Sequence, residues 1–181
     1  VCQDITVYLD GTGNTTIAAS DVDVGSTDNC GAPTLGIDVS ALTCAMTGAN
    51  TVTLTATDAT GNSSTCTSTV TVLDTIAPTA VCQDITVYLD AAGNASIVAT
   101  DIDGGSSDNC TFTIAADITS FTCAEVGANS IALTVTDAVG NSSMCTSTLT
   151  VTDTISPTAS NLSALNVECI GDAPTDIALV T

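Results

Sequence analysis

Thr51-Val-Thr-Leu-Thr-Ala-Thr-Asp58 alternates along its length, turns at Ala59-Thr-Gly-Asn62, and is answered by a second alternating run from Thr65 to Leu73. Strict alternation sends successive side chains to opposite faces of a sheet, so Val52, Leu54 and Ala56 share one face and the threonines the other. A Gly-Asn turn between two such runs is the signature of a β-hairpin. Working outward, Asp4 to Leu9 alternates as well, with Ile5, Val7 and Leu9 on one side. Asp10-Gly-Thr-Gly-Asn14 is a turn, and Thr15 to Ala19 returns as a strand. A polar loop from Ser20 to Gly31 follows, then a strand from Pro33 to Val39 and an irregular crossing from Ser40 to Asn50. The expected class is all-β.

The same order recurs. Val1-Cys-Gln-Asp-Ile-Thr-Val-Tyr-Leu-Asp10 returns letter for letter at Val81 to Asp90, a period of 80 residues, which is the size of a small domain rather than of a solenoid turn. The chain divides into a unit at 1–80, a second at 81–159 and the start of a divergent third at 160–181, with Asp74-Thr-Ile-Ala-Pro-Thr79 as a short stiff linker. Each aspartate of the first unit has a counterpart in the second, for example Asp21 with Asp101 and Asp58 with Asp137.

Composition narrows the function. The chain has no Lys, Arg or His and 20 acidic residues, a net charge of −20. Phosphate contacts need cations, so nucleic acid is not an expected partner, and anionic membrane surfaces repel such a chain. It attracts divalent cations, because hard oxygen donors are nearly its only charged groups. Without His or Lys the catalytic vocabulary shrinks to carboxylates, thiols and Tyr, so no enzyme is expected; a carboxylate-pair hydrolase is the form one would take. No stretch reads as a membrane-spanning helix or as a signal peptide, and export would be directed by other parts of a longer protein.

Four of the nine cysteines fall in each unit, Cys2, Cys30, Cys44 and Cys66, then Cys82, Cys110, Cys123 and Cys145, with Cys169 left over. An even set recurring in a small β-rich unit reads as a disulfide framework formed in an oxidising, extracytoplasmic setting. The spacing contains no paired Cys-x-x-Cys knuckle for zinc.

Asp-Asn-Cys at 28–30, Val-Thr-Leu-Thr-Ala-Thr-Asp-Ala-Thr-Gly-Asn at 52–62 and Thr-Ser-Thr-Val-Thr-Val at 67–72 together resemble the hyalin-repeat (HYR) type of immunoglobulin-like module. The Asp-Thr-Ile-Ala-Pro-Thr-Ala-Val-Cys-Gln-Asp-Ile-Thr-Val segment beginning at Asp74 resembles tandem repeats of giant Bacteroidota surface adhesins, including those of gliding motility. The resemblance implies tandem immunoglobulin-like β-sandwiches, stapled by disulfides and displayed on the cell surface. In such a fold the first and last strands lie side by side, so Cys2 is expected with Cys66 and Cys82 with Cys145. That leaves Cys30 for Cys44 and Cys110 for Cys123, one of the three connectivities that four cysteines allow.

The candidate calcium ligands are Asp21, Asp23 and Asp28 with their copies Asp101, Asp103 and Asp108. Alternating acids around a Gly can converge oxygens on Ca²⁺, whereas the plainer reading is that Asp and Asn shape a solvated turn. In a sandwich the loop after the second strand and the hairpin turn gather at the pole facing the preceding unit. There Asp58, Asp137, Asn141 and the linker acid Asp74 would join the set, and calcium would stiffen the junction. Thr75 and Thr154, in Asp-Thr-Ile sequences, resemble O-glycan acceptors of Bacteroidota, whereas the plainer and preferred reading is that they are ordinary linker residues. The Thr-x-Thr runs could form an ice-binding face, though ordinary outward β-branched positions account for them.

The expected function is that of a structural and adhesive segment of an extracellular fibre, working through neighbouring repeats and lateral self-association. The alternative is a module that recognises a surface glycan or protein through its loops.

Overall fold

The computed structural model describes residues 1–158; the expected third unit and Cys169 lie outside the described residues. The first repeat contributes β1 (Ile5–Tyr8), β2 (Asn14–Thr16), β3 (Thr34–Ile37), β4 (Ala41–Thr43), β5 (Gly48–Thr57) and β6 (Ser63–Leu73). The second contributes β7 (Ile85–Tyr88), β8 (Asn94–Ser96), β9 (Phe112–Ala116), β10 (Ser120–Thr122), β11 (Gly127–Asp137) and β12 (Ser142–Thr152). A four-stranded sheet in the order β1-β6-β5-β3 faces the pair β2-β4, and β7-β12-β11-β9 faces β8-β10 in the same way. The molecule is a tandem pair of immunoglobulin-like β-sandwiches.

The alternation explains both cores. Val52 and Leu54 on β5, with Val70 and Val72 on β6, turn inward and meet Leu42 of β4 and Ile17. In the second repeat Ile131, Leu133 and Val135 meet Leu149, Val151 and Phe121. With few aromatic side chains, these cores depend on close contact of small branched ones.

Two local expectations are corrected. The segment from Ser40 to Asn50 is not irregular: it holds β4, which pairs with β2 through Thr15↔Leu42, and the first residues of β5. A three-residue strand with one inward side chain, Leu42 or its counterpart Phe121, is too short to show a period. The polar loop opens with a helical turn, α1 (Ala19–Val22), whose Val22 is fully buried.

The opening decapeptide is fastened to the last strand of its own repeat. β1 runs parallel to β6 from Ile5↔Val70 to Tyr8↔Leu73, and β7 runs parallel to β12 likewise. Ahead of each ladder an aspartate side chain extends the pairing: Asp4 Oδ1 accepts from the Thr69 N–H and Asp84 Oδ1 from the Thr148 N–H, each at 2.6 Å. The buried hydroxyls of Ser68 and Ser147 donate to the Gln3 and Gln83 carbonyls. Disulfides Cys2–Cys66 and Cys82–Cys145 close the same seam. Replacing Ser147 by Ala removes the hydrogen bond of a buried hydroxyl, and we expect it to lower the stability of the second repeat by about 1 kcal/mol in a denaturant titration; no change would show that the Gln83 carbonyl has another partner.

Candidate functional site at the repeat junction

Most of the acidic candidates hold the backbone. Four turns share the sequence Asp-x-x-Gly-Asn, beginning at Asp10, Asp58, Asp90 and Asp137, and in each the aspartate Oδ1 accepts from the N–H groups two and four residues on. The Asn62 amide and Thr60 hydroxyl hold Asp58 down to about 2. Asp21 and Asp101 accept from the Ala18 and Val98 N–H groups at the start of a helical turn. Asp23 and Asp103 accept from the Ser26 and Ser106 hydroxyls at 2.6 Å, which lowers both carboxyls below their usual range. At Asp10, Asp23, Asp58 and Asp103 the bonds favour the charged form, and across the set they give the acids a role in shaping turns that needs no ion.

A different set meets between the repeats. Asp137 continues the inward alternation of Ile131, Leu133 and Val135 to the pole of the second sandwich, where it is 6% exposed. Asn141 Nδ2 donates to Asp137 Oδ2 at 2.8 Å and reaches the Asp74 and Ile76 carbonyls of the linker. Further along, Thr79 and Ser107 exchange two backbone bonds of 2.7 and 3.0 Å. The linker is thereby laid onto the second repeat, and Asp74 is left only 8% exposed.

The loop Asp108-Asn109-Cys110 reaches back the other way. Asn109 Nδ2 donates to the Asp10 carbonyl and to Asp74 Oδ1, both at 3.2 Å. Cys110 is joined to Cys44 of the first repeat. The contact needs Gly13: its φ is +74°, and a Cβ there would lie 2.5 Å from both the Asn109 carbonyl oxygen and Cys44 Sγ.

This bond overturns the expected pairing of Cys30 with Cys44 and of Cys110 with Cys123. Cys30 lies beside Asp58 and Asn62 at the hairpin pole. Cys44 follows β4, and its N–H donates to the Gly13 carbonyl, near the end of β6, where the Leu9 N–H donates to the Leu73 carbonyl. The 11 residues of β6 separate those poles by about 35 Å, whereas disulfide Cα atoms lie within about 7 Å. Cys30 and Cys123 are free and exposed.

Of the expected calcium set, the structure therefore brings together Asp74, Asp108, Asp137 and Asn141 and adds Asn109. Asp101 and Asp103 belong to a separate turn, Asp21, Asp23 and Asp58 to their own repeat, and Asp28 to the exposed Cys30 loop. Donor atoms of Asp74, Asp108 and Cys110 lie within 4.8 Å of one another, with the sulfur engaged in its disulfide. Asp108 Oδ1 and Asn109 Oδ1 are buried and have no hydrogen-bond partner among the described residues. Thr75 and Thr154 are exposed.

No family model matches the chain, and no curated protein matches it. Solved structures resemble it at low identity. The chain is 16% identical to extracellular cadherin domains 1–4 of protocadherin gamma B7, covering 84% of this chain and 50% of that one at a TM-score of 0.32. A structure of three titin immunoglobulin domains is 10% identical, with coverages of 84% and 63% and a TM-score of 0.38. An endo-fucoidan hydrolase of glycoside hydrolase family 107 is 16% identical, with coverages of 77% and 28% and a TM-score of 0.30. The chain thus spans from about a quarter to under two thirds of these structures. Likenesses this distant say nothing of activity or ligand; the sandwich class rests on the strand pairing itself. Among the described residues no helix is long and apolar enough to cross a membrane.

Proposed function

We propose that this chain is a load-bearing segment of an extracellular adhesin or surface fibre, in which tandem sandwiches hold a fixed spacing and orientation. The observation that carries this reading is the junction: a disulfide from Cys44 to Cys110 crosses between the repeats, beside a linker bonded along its length to the second one. A flexible tether between recognition modules would need neither. The disulfides accord with an oxidising, extracytoplasmic location.

Calcium fits the same junction. Asp108 Oδ1 and Asn109 Oδ1 are hard, buried and unpaired, Asp74 adds a second carboxylate, and the chain has no side-chain cation to balance them. Such an ion would supply charge neutralisation and a bridge between linker and loop. Calcium at about one hundred times its dissociation constant stabilises a site by roughly 2.7 kcal/mol. Scanning calorimetry is therefore expected to show the melting temperature rising by several degrees from chelator to calcium, and Asp108→Asn to abolish most of the rise. Superimposable profiles in calcium and chelator would remove the ion from the proposal and leave the disulfide-braced stalk intact.

A further inference from the structure

At the junction the candidate ligands and the sulfur bridge share one short loop. Asp108 and Asn109 immediately precede Cys110, and Asp108 Oδ2 accepts from the Cys110 N–H at 3.0 Å. The bond from Cys110 to Cys44 fastens that loop to the first repeat. Cys44 Sγ lies 3.4 Å from the Asn109 carbonyl oxygen, the same oxygen that a Cβ on Gly13 would strike. Asn109 is thus placed by the sulfur bridge on one side and on the other by Asp74 Oδ1, which accepts from its Nδ2.

The carboxylates oppose this arrangement. Donor atoms of Asp74, Asp108 and Cys110 lie within 4.8 Å of one another, and the chain has no Lys, Arg or His to stand between the two acids. Like charges that close repel, the more so because Asp74 is buried. The Asp74 backbone is tied to Asn141, so the repulsion acts on the loop, and the covalent tie that resists it is the Cys44–Cys110 bond. A divalent cation between the acids turns repulsion into attraction and takes up the unpaired Asp108 Oδ1 and Asn109 Oδ1. Disulfide and ion therefore favour the same loop position.

We infer that the Cys44–Cys110 bond and calcium at Asp74, Asp108 and Asn109 form one redox-linked site: the disulfide raises calcium affinity, and calcium in turn protects the disulfide from reduction. The inference rests on the proposal that calcium occupies this junction. Reciprocity is a thermodynamic requirement, so whatever factor the bond adds to calcium affinity, saturating calcium adds to the thiol–disulfide equilibrium. The reductant is a low-molecular-weight thiol such as glutathione. Two glutathione thiols give up two protons and two electrons, the protein S–S bond breaks and takes them up as two S–H groups, and one glutathione disulfide forms. A coupling of about tenfold, ordinary for linked sites, makes the reduction potential of this pair about 30 mV more negative in calcium.

The whole chain is titrated with calcium by isothermal calorimetry, beside its Cys44→Ser, Cys110→Ser double variant and beside Asp108→Asn in each background. The heat that Asp108→Asn removes reports the junction site and sets aside loose counterion binding by the other acids. That site is expected to bind about tenfold tighter in the oxidised chain. The reciprocal measurement needs no cysteine variant. The oxidised chain is equilibrated in glutathione buffers, with calcium above both dissociation constants or with chelator, its thiols are trapped by alkylation, and Cys44 and Cys110 are read by peptide mapping. The ratio of squared reduced to oxidised glutathione that half-reduces this pair is expected to rise about tenfold in calcium, while that for Cys2–Cys66 stays put and Asp108→Asn loses the rise. Equal calcium affinity with and without the bond, or a half-reduction point that bound calcium does not move, would overturn the inference and leave calcium at the junction. Absence of any calcium site that needs Asp108 would remove the calcium proposal and the inference together, with the disulfide-braced stalk untouched.

Discussion

Pulled from Val1 and Asp153 in a single-molecule force experiment, the oxidised chain is expected to show no unfolding step of domain length, whereas the reduced chain releases about 200 Å per repeat. The force path explains the difference. Tension entering at Val1 reaches Cys2, crosses to Cys66, follows β6 to Leu73 and leaves through the linker; it re-enters at Cys82 and crosses to Cys145. The 64 and 63 residues spanned by these bonds lie off the path, and at about 3.4 Å per extended residue each conceals roughly 210 Å of chain. After reduction the load falls on the ladder between β1 and β6. The strands are parallel and are pulled from opposite ends, so the bonds from Ile5 to Tyr8 and the Asp4 bond to Thr69 shear together instead of opening one at a time. The staple also constrains the unfolded chain, worth roughly 4 kcal/mol for a loop of this size, a large share of a typical domain's stability. A domain-length step in the oxidised chain would mean that the seam does not carry the load.

The sandwich was legible because its longest strands are its most periodic ones. Val52 and Leu54 against Val70 and Val72 announce an inward face, and the Asp-x-x-Gly-Asn turns join the strands. Leu42 and Phe121 were not legible, since a strand contributing one inward residue has no period to detect. The acids were misleading for a physical reason: an aspartate that binds its own backbone and one that faces a neighbouring repeat have the same sequence context. Asp58-Ala-Thr-Gly-Asn62 and Asp137-Ala-Val-Gly-Asn141 fold into the same turn, and nothing in the sequence of the second tells that its Asn amide also bonds the linker. The Cys44–Cys110 bond did have a signal. Placing the polar loop at the pole facing the preceding repeat also places Cys110 there, and β6 is too long for Cys30 to reach Cys44. Pairing within a repeat follows from treating each unit as a closed domain, and a tandem array does not have to be closed.

Removing the junction bond with Cys44→Ser and Cys110→Ser is expected to turn a fixed angle into a hinge while leaving both sandwiches folded. Each repeat keeps its own staple and core, so two melting transitions should remain close to their original temperatures. The linker would stay with the second repeat, held by Asn141 to Asp74 and Ile76 and by the paired bonds between Thr79 and Ser107. On the first repeat's side the named polar contact that remains is the 3.2 Å bond from Asn109 to the Asp10 carbonyl, at the long end of hydrogen-bond range. Motion should therefore concentrate between Leu73 and Asp74, because relative movement is what adjacent domains do when no large interface restrains them. Residual dipolar couplings can measure it: one alignment tensor should fit both repeats of the oxidised chain, and two should be required for the double variant. A single tensor in the variant would show that the acidic loop and the linker hold the angle without the sulfur bridge, moving the stiffness from covalent chemistry to the oxygens of Asp74, Asp108 and Asn109.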